Sequence, residues 1–223
     1  MKKTITLGIV LVLLLACVGA VSANLVSNGG FEAPVNTQDW QLYPDGTSGL
    51  VWTVEQGLGA DPGIIPELEI QQQAAIGLTP YELNQFAELD GNANVNISQL
   101  ISATAGKTYT ISFAQACRDA PSENPSLLGV YWGTTYLGQT SCTATMAWVP
   151  HTYSPKASST GQVKLMFVDE GASNSYGVLL DDVAIEEENN NVPVPEFPTV
   201  ALPAALIVGL LGAVLFIQKS KED

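Results

Sequence analysis

Carboxylates are the most abundant reactive groups in this chain, and two of them stand side by side at Asp181 and Asp182. In the stretch Gly177 to Ile185, Leu179, Asp181, Val183 and Ile185 alternate onto one strand face, and Val178, Leu180, Asp182 and Ala184 onto the other. Both faces are otherwise apolar, so one carboxylate must point toward a core, where an unpaired charge is costly. A hard cation with oxygen ligands would neutralise it. A strand end open to water, a turn cap or pairing with Arg118 would serve as well. Other chemistry is scarce. His151 is the only histidine and follows Pro150, with no repeated ligand spacing and no nucleophile beside a base. Cys117, Cys142 and His151 fall short of the four ligands of a zinc site. Glycoside hydrolysis needs only two carboxylates, and Glu88 with Asp90 are the nearest pair on one strand face, but Gly91 marks a turn there and favours a structural role.

Aromatic side chains offer a different chemistry, because flat rings stack on the apolar faces of sugars. Trp40 and Tyr43 lie in a polar, loop-like stretch, and Tyr131, Trp132 and Tyr136 flank an expected hairpin. Trp40 and Tyr136 are the candidate glycan platforms, whereas Trp52 and Trp148 stand beside apolar or β-rich segments and are expected in the core. Asn96, Ile97 and Ser98 form a glycosylation sequon with Asn96 on the outward side of its strand, and Pro125 disqualifies Asn124.

The elements that must position these groups read as strands. Tyr109, Ile111 and Phe113 alternate with Thr108, Thr110 and Ser112; Val95, Ile97 and Ile101, then Val163, Leu165 and Phe167, repeat the pattern. Leu128, Val130 and Trp132 line up before a turn at Gly133. Several short strands separated by Gly, Pro, Asn and Asp predict an all-β antiparallel β-sandwich over residues 24–185. Gly57 to Pro66 reads as a loop, and the acidic, Asn-rich and then Pro-rich residues 186–194 as a linker.

The two ends are apolar. Lys2 and Lys3 precede an apolar stretch from Ile5 to Val18, and Val21, Ser22 and Ala23 supply the small residues of a signal-peptide cleavage site. Residues 1–23 are therefore a predicted signal peptide, with Asn24 first after cleavage; a loose lipobox ending at Cys17 is the rival. At the other end Val200 to Ile217 is uncharged and apolar, followed by Lys219 and Lys221. As a helix it would measure about 27 Å, enough for a transmembrane span, with the basic pair favouring a cytoplasmic C-terminus. The prolines at Pro195 and Pro198 hold Glu196 and Phe197 in extended backbone that a membrane peptidase could grip.

Between these ends, residues 24–192 hold four basic against nineteen acidic residues. Such a surface repels nucleic acid and anionic headgroups. In an exported setting Cys117 and Cys142 could pair, a loop closure worth about 3.5 kcal/mol in the chain-entropy account. Two buried thiols or an intermolecular bridge are the alternatives.

Residues Val194 to Glu222, with Pro195, Glu196, Phe197 and Pro198 before one apolar segment and a basic tail, resemble the PEF-CTERM sorting signal of archaeal surface proteins. That resemblance makes residues 195–223 a sorting signal. It implies passage through the Sec machinery, cutting by an archaeosortase-type transpeptidase, and fastening at the membrane by the helix or a lipid. A second resemblance runs through Asn24 to Glu32, Phe86 to Asn92, Gly106 to Phe113, Arg118 with Asp119, and Leu179 to Ile185. These stretches are similar to galactose-binding-like jelly rolls and carbohydrate-binding modules of microbial surface proteins. The family pattern implies one structural calcium held by Asp181 with Glu32 and by backbone carbonyls near Asn28 to Gly30, and often glycan binding. The expectation is an exported, membrane-anchored, non-catalytic carbohydrate-binding or adhesive module facing an envelope glycan or surface protein. The alternative is a structural cell-envelope component that binds no free glycan, with a glycoside hydrolase behind both.

Overall fold

The computed structural model describes residues 23–118, 126–141 and 146–188. The expected signal peptide, Cys142, the sorting motif from Pro195 to Pro198 and the expected span at 200–217 lie outside them. Among the described residues no helix is long and apolar enough to cross a membrane.

Strand-forming alternation dictates the architecture. The strands are β1 (Trp40–Pro44), β2 (Thr53–Gln56), β3 (Glu67–Gln72), β4 (Gln85–Glu88), β5 (Val95–Ala103), β6 (Tyr109–Cys117), β7 (Leu127–Trp132), β8 (Thr135–Ser141), β9 (Val149–Tyr153), β10 (Gly161–Asp169) and β11 (Val178–Glu187). One short helix, α1 (Gln73–Ile76), follows β3. The strands form two sheets, a six-stranded one in the order β1-β3-β4-β11-β6-β9 and a five-stranded one in the order β2-β5-β10-β7-β8. Every pairing is antiparallel, as expected for an all-β sandwich.

The core lies between the sheets and uses the residues whose alternation marked them. Tyr109, Ile111 and Phe113 of β6 meet Val95, Ile97 and Ile101 of β5, Leu128, Val130 and Trp132 of β7, and Leu165 and Phe167 of β10. Trp52, just before β2, is buried as expected, stacked on Phe31 at 5.5 Å and edge-on to Phe167 at 6.2 Å. Phe113 meets Phe167 edge-on at 5.1 Å and so ties the two sheets together. Trp148 differs from expectation. It packs only partly buried in a second, smaller cluster with Leu78, Phe86, Ala116 and Leu179, on the opposite side of the six-stranded sheet from the main core.

Strand β11 also departs from strict alternation. Its pairing with β6 shifts register between Asp181 and Ala184, with Asp182 in a left-handed conformation at φ 50°. The bulge inverts the facing pattern midway. Val178 and Leu180 therefore share the main core with Val183 and Ile185, while Leu179 joins the outer cluster. The start of the domain is fastened to the same strand: Leu25 N–H donates to Ile185 O at 2.8 Å, and Asn24 Oδ1 accepts from Ile185 N–H at 2.9 Å.

Because Phe167 contacts Trp52 and Phe113 at once, Phe167→Ala is expected to lower the unfolding free energy by about 3–5 kcal/mol. Urea denaturation checks this: the midpoint should fall with little change in slope, and an unchanged midpoint would show that the two sheets are held together elsewhere.

Candidate functional site

The outer face of the six-stranded sheet is lined, unusually, with buried polar side chains. In β3, Leu68 and Ile70 face the core, so Glu69 and Gln71 point outward. Cross-strand register then sets two rows: Leu42, Glu69, Glu88, Leu179 and Ala116 in one, and Trp40, Gln71 and Phe86 in the next. Residues of α1 and of the loops carrying Asn92 and Ser175 stand around these rows. Together they enclose a cleft of about 530 Å³ lined by Trp40, Leu42, Glu69, Gln71, Ile76, Asn92, Arg118 and Ser175. That volume is in the range of small-ligand sites. Trp40 is 52% exposed, a large ring presented to solvent at its edge.

At the cleft floor Gln71 Nε2 donates to Glu69 Oε1 at 2.7 Å and to Glu88 Oε2. Glu88 is fully buried and also accepts from Gly177 N–H at 3.0 Å, with Arg118 Nη1 at 3.3 Å from its Oε2. The Arg118 guanidinium lies over the Tyr176 ring, 5.5 Å from its centroid. Burial, reinforced by the neighbouring Glu69 charge, pushes Glu88 up to about 8 against the pull of Arg118 and the Gly177 N–H. Burial also raises Glu69. At neutral pH the pair therefore keeps a proton, because two unscreened carboxylates this close cannot both ionise cheaply.

Asp90, the other half of the pair singled out from the sequence, serves as a clamp. Its carboxylate accepts from Asn174 N–H at 2.6 Å, Ser175 N–H at 2.8 Å and Ser173 Oγ at 3.3 Å. This fixes the loop that brings Ser175 and Tyr176 to the cleft. Gly177 passes so close that a Cβ there would lie 2.4 Å from Asp90 N, which restricts the position to glycine. Two acceptors at the site are left over. Gln71 Oε1 and Asn92 Oδ1 are buried and have no hydrogen-bond partner among the described residues. Buried acceptors are rarely left unpaired, so their presence here calls for an external donor.

Of the candidate glycan platforms, the cleft includes Trp40 but not Tyr136. Tyr136 is on β8 in the other sheet, 4.9 Å from Tyr131, and its hydroxyl donates to Glu170, as do the Tyr131 hydroxyl and Gln139 Nε2. Asn96 is half-buried on the outer face of β5, its Nδ2 donating to Gln56 O at 3.2 Å. Cys117, fully buried at the end of β6, is disulfide-bonded, and its expected partner Cys142 lies outside the described residues.

The expected calcium site is corrected by the structure. Among the described residues no group of three or more His, Cys, Asp or Glu side chains is arranged to hold a metal ion. The expected ligands are already spent as hydrogen-bond acceptors. Asp181 accepts from Tyr81, Glu82 and Asp182 N–H at 2.8, 2.9 and 2.7 Å. Glu32 accepts from Asn84 and Gln85 N–H at 2.7 and 2.8 Å, Asn28 O from Trp52 Nε1, and Gly29 O from Val183 N–H. The buried Asp181 thus gains its compensation from backbone donors rather than from a cation, and burial pushes it up to about 7.

The sequence reasoning missed Glu69, Gln71 and Tyr176. The only available signal was the alternation of Glu67 to Gln72, whose outward residues look like ordinary solvated positions.

Residues 194–212 match the PEF-CTERM archaeal protein sorting domain, which supports export, display at the cell surface and processing by an archaeosortase-type enzyme. No curated protein matches the chain in sequence. Solved carbohydrate-binding modules are similar to the chain to differing degrees. A family 61 carbohydrate-binding module, solved with β-1,4-galactotriose, is 17% identical with a TM-score of 0.50, covering 75% of this chain and 100% of that one. A family 4 carbohydrate-binding module is 21% identical over 73% of this chain and 99% of that one, at a TM-score of 0.39. The xylan-binding CBM22-1 domain of Paenibacillus barcinonensis Xyn10C is 13% identical over 76% and 97%, at 0.41. The chain is thus similar in fold to the family 61 carbohydrate-binding module, and its residues 194–212 match an archaeal protein sorting domain.

Glu88 titrates near 8 in the folded protein and near 4.5 when unfolded, so between these values the native state holds a proton that the unfolded chain has released. Its contribution to stability is complete below pH 4.5 and is lost as pH rises through 8, by at most about 1.4 kcal/mol per pH unit. Glu88→Gln is expected to flatten this part of the decline in urea midpoints measured at pH 5, 6.5 and 8. A variant with the wild-type slope would show that Glu88 is ionised throughout.

Proposed function

We propose that this protein is an exported cell-surface module that holds a carbohydrate in the cleft on its six-stranded sheet and catalyses nothing. The observation that carries this reading is the pair of partnerless buried acceptors, Gln71 Oε1 and Asn92 Oδ1, in a cleft edged by the exposed Trp40 ring. A sugar satisfies both features at once, its hydroxyls donating to the acceptors and one ring face stacking on indole. Tyr136 stands apart from this cleft, and any contact it makes with a glycan belongs to a separate surface.

The delivery of the module follows the two ends. We propose cleavage after Ala23, a Cys117–Cys142 disulfide, processing at Pro195 to Pro198, and attachment to the membrane through the C-terminal helix or a lipid that replaces it. Asn96 is the proposed N-glycosylation position. The sandwich then faces an envelope glycan or a surface partner.

Retention on immobilised oligosaccharides, β-1,4-galactotriose among them, tests the cleft. Trp40→Ala is expected to weaken retention by about tenfold or more, from loss of the stacking surface, while Tyr136→Ala leaves it unchanged. Equal retention by Trp40→Ala and wild type would dismiss the cleft; self-association without any glycan retention would favour the structural-envelope role. Mass spectrometry of the mature protein is expected to find Asn24 as the first residue and a C-terminus at or before Pro198. An intact C-terminal segment would make the signal a permanent anchor.

A further inference from the structure

Resting on that reading, we infer that the cleft selects glycans that donate hydrogen bonds and rejects anionic ones, uronic acids in particular, because the carboxylates beneath it fix which end of each amide faces the ligand. Gln71 and Asn92 could each present either an oxygen or an NH₂ group. The carboxylates decide. Gln71 Nε2 is drawn down between Glu69 and Glu88, and Asn92 Nδ2 is drawn to Glu67 Oε2 at 2.9 Å. Turning Asn92 over would set its oxygen against the Glu67 carboxylate, and turning Gln71 over would give up two bonds and regain at most one, from the proton the pair keeps. Both carbonyl oxygens are therefore the ends left without a partner.

The charged groups around the pair give an anion no net compensation. Glu69 comes from β3, Glu88 from β4, Glu67 from the start of β3, and Asp90 from the turn after β4. Arg118, the cation lining the cleft, gives Nη1 to Glu88 and lies over Tyr176, and its single charge is outnumbered by the carboxylates of Glu67, Glu69 and Asp90. A hydroxyl entering this cleft can donate to Gln71 Oε1 or Asn92 Oδ1. A uronate carboxylate can only accept, and it would meet two carbonyl oxygens backed by acidic side chains. The partly protonated state of Glu69 and Glu88 lowers the local charge but adds no donor on the ligand side, since Gln71 lies between the two.

The full chain, purified in detergent, is tested in native gels cast with neutral polysaccharides (galactan, xylan, mannan, mixed-linkage β-glucan) or anionic ones (polygalacturonate, alginate, hyaluronan). Retardation by at least one neutral polymer, lost in Trp40→Ala, is expected, with every anionic polymer about tenfold or more weaker. Trp40-dependent retardation by an anionic polymer as strong as by any neutral one overturns the inference. A second measurement needs no sugar: the side-chain NH₂ signals of Gln71 and Asn92 in ¹⁵N NMR should be protected from hydrogen exchange. Glu67→Gln should release the Asn92 group alone. Free exchange at both amides in the wild-type protein overturns the inference whatever binds. Protected amides with no retardation by any polymer instead overturn the carbohydrate reading, and with it the selectivity.

Discussion

The outer face of the six-stranded sheet depends on one side-chain amide wedged between two buried acids. Gln71 sits where β1, β3 and β4 pass in register, and its NH₂ group bridges Glu69 and Glu88 on adjacent strands. Buried polar groups of this kind are stable only when their network is nearly complete. Glu88 extends the network to Gly177 and Arg118, and Arg118 extends it to Tyr176. Asp90 holds the loop between these partners from below. The cleft is therefore braced from its floor, and its incompleteness lies in two buried oxygen atoms, Gln71 Oε1 and Asn92 Oδ1.

Much of the sandwich was legible because its core strands are amphipathic over several residues. The alternation at Tyr109, Ile111 and Phe113, or at Val163, Leu165 and Phe167, reflects a face that must be buried regardless of partner. Strand β11 was half legible: its apolar content marked it as interior, but the bulge at Asp182 inverted the faces, and a bulge leaves no trace in alternation. The adjacent acids did announce a buried carboxylate. They did not announce its remedy, because the N–H groups of Tyr81 and Glu82 arrive from a loop a hundred residues earlier in the chain.

The site divides in the same way. Trp40 could be singled out from residue type, since an indole in a polar stretch has few reasons to be there. Glu69 and Gln71 could not, because polar residues alternating with Leu68 and Ile70 describe any half-exposed strand. Around them stand α1, which follows β3 directly, and two segments remote in sequence, the Asn92 turn and the Ser175 loop. Local pattern reveals which way a side chain points, whereas what covers it is decided by topology.

Strand β11 lies inside its sheet, bonded to β4 on one side and β6 on the other, and it is the last strand among the described residues, which end at Glu188. A pull applied at Glu188 enters the domain along a strand whose neighbours grip it on both flanks. The load falls on many backbone bonds together, in shear, instead of peeling them open one after another from a free edge. Load entering there would be resisted through the fold itself, and the early residues laid against Ile185 add a further seam along the same strand.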